Sequence, residues 1–280
     1  MPFRYAFNTW VYGSFPTWLP SYPLDEVIRR LAKIGYDGIE IGCAAPHAWP
    51  AHLSAERRRE LRRLTESEGL PVVSLLPAPG GGPGFNGASP LPEERRATVE
   101  HYQEVIELAA DLGAGLVLYI AGWQIFGTTR EDAWRHSRDS LAAIAAHAAT
   151  RNVTIAVEPT AADSNLIETA DDALELMRAV GQQNVKVMFD TYHALYRNEV
   201  SSDYVRIMGR HLAHIHLADT DRLPPGEGSV DFHGVLQAAK EINFAGHLTM
   251  EIGFNKRSVD PDSCARRALI CLKRIESELG

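Results

Sequence analysis

Short runs that are apolar on both faces alternate along this chain with longer stretches whose apolar residues recur every three or four positions. The first pattern is that of a fully buried strand, the second that of a helix with one face on a core. In order, the pattern predicts strands over Phe3–Thr9, Gly38–Ile41, Pro71–Leu75, Gly115–Ile120, Val153–Glu158, Val185–Asp190, His211–Leu217 and His247–Ile252. Helices are predicted between them at Pro23–Ile34, Ser54–Gly69, Leu91–Leu112, Thr129–Thr150, Thr169–Val180, Ser202–Met208 and Val230–Ile242, with Pro261–Leu279 closing the chain. In the first helix Leu24, Val27, Ile28 and Leu31 share a face and Gly35 is the stop. Ser54, with Glu56 in the first turn, reads as the N-cap of the second.

Eight strand–helix units, with strands apolar on both faces, specify an α/β fold of the closed kind, a (β/α)8 TIM barrel, rather than an open doubly wound sheet. The 280 residues suit one such barrel, so residues 1–280 are expected to form a single domain. No Gly-x-Gly-x-x-Gly follows the first strand, which removes the main support for a dinucleotide fold. Neither an internal repeat nor a linker interrupts the alternation. The one biased segment, Pro77–Pro92, carries Gly80, Gly81, Gly82, Gly84 and Gly87. It follows the third strand, on the face where barrel active sites form, and is expected to be either a mobile lid or a long surface loop.

In a barrel, the loops after successive strands share one rim, so residues ending different strands meet in space. Four strand ends carry metal-ligand chemistry: Glu158 in Ala-Val-Glu-Pro, Asp190 in Met-Phe-Asp-Thr, His216 in His-Ile-His-Leu and Glu251 in Thr-Met-Glu-Ile. Two like charges about 4 Å apart repel by roughly 4 kcal/mol at an effective dielectric near 20, so three carboxylates in one pocket call for a cation. Carboxylate oxygens with one imidazole suit a hard or borderline ion such as Mn²⁺, Mg²⁺ or Co²⁺ better than a thiolate-type zinc site. His193 and Arg222 lie just beyond Asp190 and His216, in rim loops, either as surface groups or as contacts to substrate oxygens. His214, two residues before His216, is expected to be a hydrogen-bonded interior histidine, and Glu40 an acceptor that orients His216. His101, His136 and His147 fall within helices and read as solvated or capping residues.

Composition narrows the partners. With 45% hydrophobic and 23% charged residues the chain reads as soluble, and no apolar run reaches the roughly 20 residues of a bilayer helix. The start, Met1 to Tyr5, lacks a basic region followed by an apolar one, so cytoplasmic residence is expected. A net charge of −8 disfavours nucleic acid. The basic run Arg57, Arg58, Arg59, Arg62 and Arg63 is interleaved with Glu56, Glu60 and Glu66 and reads as a solvated helix face. Three cysteines argue against a disulfide framework; Cys264 and Cys271 are expected on one buried helix face, and Cys43 as packing after a strand.

At the residues of this constellation the sequence resembles the xylose isomerase-like barrel superfamily of sugar isomerases and epimerases, over nearly its whole length. Val157-Glu158-Pro159, Phe189-Asp190-Thr191-Tyr192-His193, His214-Ile215-His216-Leu217-Ala218-Asp219, Arg222 with Pro225-Gly226-Glu227-Gly228, and Glu251 are similar to the ketose 3-epimerase pattern of tagatose and psicose type. Gly35-Tyr36-Asp37-Gly38-Ile39-Glu40, Pro46-His47-Ala48 and Ser164-Asn165 resemble the fructosamine (fructoselysine) 3-epimerase branch. The resemblance implies one divalent metal, Mn²⁺ first and Mg²⁺, Co²⁺ or Zn²⁺ as alternatives, on Glu158, Asp190, His216 and Glu251. It implies Glu158 and Glu251 as the catalytic pair, His193, Arg222, Trp123 and Asn165 as substrate contacts, a small-molecule sugar as substrate, and a homo-oligomer, dimer or tetramer. The ketohexose epimerases carry a substrate-contacting Glu six residues after the first metal Glu; here that position is Ser164.

The expected chemistry is removal of a proton beside a carbonyl and its return on the other face at C3, through an enediolate. Return to the neighbouring carbon would make an aldose–ketose isomerase of the hydroxypyruvate isomerase kind, and loss of water an inosose-type dehydratase. A nuclease of the AP endonuclease IV type would need further histidines, one of them in an Asp-Arg-His where this chain has Asp221-Arg222-Leu223.

Overall fold

Eight parallel strands follow one another around a closed ring in chain order in the computed structural model, which describes residues 2–13, 21–78, 82, 84–253 and 260–280. They are β1 (Tyr5–Asn8), β2 (Gly38–Cys43), β3 (Val72–Pro77), β4 (Leu116–Ile120), β5 (Thr154–Glu158), β6 (Val185–Asp190), β7 (Leu212–Leu217) and β8 (His247–Met250). The ring closes where β1 pairs with both β2 and β8. The helices are α1 (Leu24–Ile34), α2 (Ala55–Ser67), α3 (Pro92–Leu112), α4 (Arg130–Thr150), α5 (Ala170–Val180), α6 (Thr191–Tyr196), α7 (Ser201–Met208), α8 (Phe232–Glu241) and α9 (Pro261–Glu278). This is the expected (β/α)8 barrel.

Local chemistry sets the helix ends. Ser54 Oγ accepts from Arg57 N at the start of α2, and Thr169 with Asp172 forms a reciprocal capping box at the start of α5. Gly35 takes φ 100° after α1, a left-handed conformation in which its N–H reaches the carbonyls of Leu31 and Ala32. The main core lies between strands and helices. A smaller apolar cluster of Leu76, Leu116, Leu118, Ala156 and Met188 packs separately from it. Because strand side chains alternate with period two, Ala156 shares its face with Glu158, and Met188 with Asp190. The barrel interior therefore passes from an apolar layer to the site residues at the strands' C-terminal ends.

Four features differ from the sequence pattern. α6 follows Asp190 at once; six residues are too few to show helical periodicity, and its start is fixed by Asp190 Oδ1 accepting from Tyr192 N at 2.8 Å. β8 ends at Met250, so Glu251 stands one residue past the strand, its N–H on Leu217 O at 3.2 Å. His101 is buried rather than solvated: it shares the inward face of α3 with Thr98, Tyr102 and Val105, stacks on Trp49 with centroids 4.8 Å apart, and its Nε2 bonds Ala78 O at 2.9 Å. Cys264 is buried as expected, but Cys271 is only half-buried.

The basic run on α2 is a paired surface, with Arg57 on Asp25, Arg58 on Asp111 and Arg62 on Glu66. Of the glycine-rich segment, Gly80 and Gly81 lie outside the described residues. Its second half is clasped: Asn86 Nδ2 donates to Trp123 O and Asn86 Oδ1 accepts from Trp123 N, both at 2.9 Å. Among the described residues no helix is long and apolar enough to cross a membrane.

Candidate metal and substrate site

β5, β6 and β7 and the residue after β8 deliver Glu158, Asp190, His216 and Glu251 to one point. One donor atom from each lies within 4.8 Å of all the others, and all four residues are buried. His216 Nδ1 is 3.1 Å from Glu251 Oε2 and 3.8 Å from Glu158 Oε1. The other ring nitrogen is committed: Nε2–H donates to Glu40 Oε1 at 2.8 Å. Glu40, on β2 and fully buried, also accepts from Asn8 Nδ2 at 2.7 Å and Ser74 Oγ at 2.6 Å, and its Oε2 lies 3.0 Å from His214 Nε2. These contacts hold the imidazole with its Nδ1 lone pair facing carboxylate oxygens.

Although burial opposes it, the charges of Glu40 and Glu251 raise His216 well above the ordinary imidazole value, so positive charge, a proton or a metal ion, is drawn to Nδ1. Glu158 Oε1 and His216 Nδ1 are buried and have no hydrogen-bond partner, which in a protein interior is costly. Three carboxylates and one imidazole nitrogen match the donor set of a hard or borderline divalent ion, so these residues fit a metal. The electrostatics agree. Burial first, then the charges of Glu251 and Asp190, push Glu158 well above the ordinary carboxylate range. Burial likewise lifts Asp190 to about 6. Burial opposes the charge of Glu251 too, but Arg222 and His216 outweigh it and hold the group low.

Arg222 does not stay on the rim. Its guanidinium Nη1 contacts the Asp190 carboxylate and lies 2.7 Å from Glu251 Oε2. The guanidinium stacks 4.1 Å over the Tyr192 ring. Two consecutive left-handed residues, Asp221 at φ 57° and Arg222 at φ 62°, turn the side chain inward. Gly253 N–H donates to Arg222 O at 2.7 Å and secures the turn.

His193 is also buried, on α6. Its Nδ1 accepts from Ala162 N at 3.2 Å, which places the proton on Nε2, 3.6 Å from Asp163 Oδ2. Burial, reinforced by the charge of Arg222, presses its pKa down to about 3, so the ring is a neutral donor at neutral pH.

Trp123 and Asn165 meet elsewhere on the rim. With Gln124, Ile125 and Phe126 they line an open depression of about 640 Å³. Both ends of the Asn165 amide are used on one backbone, Oδ1 accepting from Gln124 N at 2.9 Å and Nδ2 donating to Gln124 O at 3.0 Å. Ser164 Oγ donates to Gly122 O at 2.6 Å and ties the same two loops together. Sequence reasoning passed over Tyr192, Asn8 and Ser74. The last two had a visible signal: each is a small polar residue inside an otherwise apolar strand, on the strand flanking or facing Glu40.

Residues 28–275 match the family model described as xylose isomerase-like TIM barrel. Among curated proteins, the chain is 25% identical over 263 residues to a fructoselysine 3-epimerase of Shigella flexneri, covering 92% of this chain and 95% of that one. It is 26% identical over 245 residues to a D-psicose 3-epimerase of Enterocloster bolteae, covering 84% of this chain and 77% of the relative. Among solved structures, a D-psicose 3-epimerase with D-tagatose from Clostridium cellulolyticum H10 superposes with a TM-score of 0.86 at 21% identity, covering 98% of this chain and 99% of that one.

Proposed function

Because the chain belongs to the xylose isomerase-like TIM barrel family, we propose that it is a divalent-metal-dependent epimerase acting at C3 of a ketose or ketose derivative. One observation carries this reading: four donor groups from the ends of consecutive strands lie within 4.8 Å of one another, two of their atoms buried without a partner. The relatives named above are epimerases of ketoses and of a ketose amine, which supports the substrate class. Mn²⁺ is the ion favoured by the oxygen-rich donor set.

In this mechanism Glu158, Asp190, His216 and Glu251 hold the ion, and when bound it supplies Lewis-acid polarisation of the substrate's carbonyl and hydroxyl oxygens. Glu158 leaves β5 and Glu251 follows β8, so the two carboxylates approach a sugar from different sides of the ring of strands. One takes the C3 proton and the other returns it on the opposite face; positioned acid–base groups of this kind supply about 10² to 10⁴ in rate. His193 Nε2–H donates to a substrate oxygen. Glu40 keeps His216 in the tautomer that leaves Nδ1 for the ion. Trp123 and Asn165, on the neighbouring rim, border the part of the substrate away from C3.

Proton exchange tests the reading. Incubating a panel of ketoses and fructosamines with the protein and Mn²⁺ in D₂O places deuterium at C3 for an epimerase. Deuterium at C1 or C2 makes it an aldose–ketose isomerase, and ultraviolet absorbance from an unsaturated product makes it a dehydratase.

A further inference from the structure

Two of the three carboxylates at this site are held by the protein's own guanidinium. Asp190 has both oxygens engaged, Oδ1 by Tyr192 N at 2.8 Å and Oδ2 by Arg222 Nη1. Glu251 Oε2, the oxygen that faces His216 Nδ1, is the one 2.7 Å from Arg222 Nη1. The same nitrogen lies 3.2 Å from Glu251 O. Asp190 and Glu251 supply two of the four clustered donor groups, so a cation on all four competes with Arg222 for these two carboxylates.

Resting on the metal reading above, we propose that Arg222 is the resident counter-cation of the site and leaves Asp190 and Glu251 as a divalent ion enters. Loading the ion and freeing the substrate-facing guanidinium are then one exchange, and the ion comes first. Two observations suit this role. The backbone of Arg222 is fixed, by its left-handed φ of 62° and by Gly253 N–H on its carbonyl, so the exchange needs only side-chain rotation. The Tyr192 ring, 4.1 Å from the guanidinium, is an aromatic face on which a guanidinium remains attracted when it slides off the carboxylates. Three buried carboxylates would repel one another, and Arg222 shares with His216 the task of offsetting that charge in the metal-free protein.

Mn²⁺ titration by calorimetry and thermal melting of the metal-free protein, on wild type, Arg222→Met and Arg222→Ala, test the exchange. The metal-free variants melt lower than wild type, and Mn²⁺ binds them about tenfold tighter, within the usual span of coupling between two sites. Added methylguanidinium raises the melting temperature of metal-free Arg222→Ala and competes with Mn²⁺ for it, a behaviour that a merely structural arginine does not produce. A variant that folds only when Mn²⁺ is present supports the proposal as well. Mn²⁺ affinity in the variants equal to or weaker than wild type overturns it and leaves the metal reading standing. Absence of Mn²⁺ uptake by every protein overturns both.

Discussion

His216 Nε2 and Glu40 Oε1 are 2.8 Å apart across the barrel interior, and that one bond decides which nitrogen of His216 is presented to the site. Glu40→Gln keeps the volume but places an amide among the donors of Asn8, Ser74 and His216. Mn²⁺ affinity is expected to fall about 10- to 100-fold, the usual effect of losing the partner of a metal-binding histidine. Calorimetric titration of the variant, with circular dichroism to establish that it is folded, checks this; an unchanged affinity counts against the orienting role.

In the proposed mechanism Glu251→Gln removes a proton acceptor and a metal oxygen while keeping the shape of the side chain. Turnover is expected to fall by at least about 10². Substrate-proton exchange in D₂O measures it, and a variant with near wild-type rate eliminates the two-carboxylate mechanism.

Chelation is expected to abolish activity, and added Mn²⁺ to restore it. Elemental analysis of the chelated protein accompanies the assay, since activity that persists with no metal detected contradicts the proposed chemistry.

Acid is expected to weaken the fold through buried histidines away from the site. Burial, then the charges of Arg4 and His214, hold His247 down to about 4, and burial lowers His47, whose Nε2 bonds Tyr22 O at 2.7 Å. Above about pH 6.5 these rings are neutral in both folded and unfolded chains and contribute no pH dependence. As the pH falls through that value the unfolded chain takes up protons first, so stability drops, and for His247 the drop continues to about pH 4. Urea midpoints at pH 7 and pH 5 show the fall, and His247→Gln shrinks it.

The capping box of α5 gives a stability test away from the site. Thr169→Ala removes the side chain that accepts from Asp172 N at 3.1 Å and is expected to cost about 1 kcal/mol. The shift in urea midpoint reads it directly.

How much of this was visible beforehand follows from how far each signal reaches along the chain. Strand order and helix order were legible because each element carries its own periodicity, and α/β alternation with eight strands leaves few ways to close a sheet. The gathering of Glu158, Asp190, His216 and Glu251 at one end of the strands was legible for the same reason. The inward turn of Arg222 was not, because it depends on two left-handed residues that are not glycine and on a carbonyl bond to Gly253. His101 looked exposed, and His193 stood open between a surface group and a substrate contact, because a lone histidine in a helix or loop says nothing about which face is covered. Their burial comes from partners remote in sequence, Trp49 for one and Ala162 for the other.

The pairing of β1 with β8 joins the two ends of the sequence, and the bond from Glu40 to His216 spans 176 residues. A ribosome-bound or proteolytically nicked chain lacking β8 therefore lacks Glu251 and the seam that draws β7 toward β2. Such a fragment holds Glu158, Asp190 and His216 without the fourth group that completes the cluster. The site is therefore a property of the completed, closed barrel and of no shorter stretch of the chain.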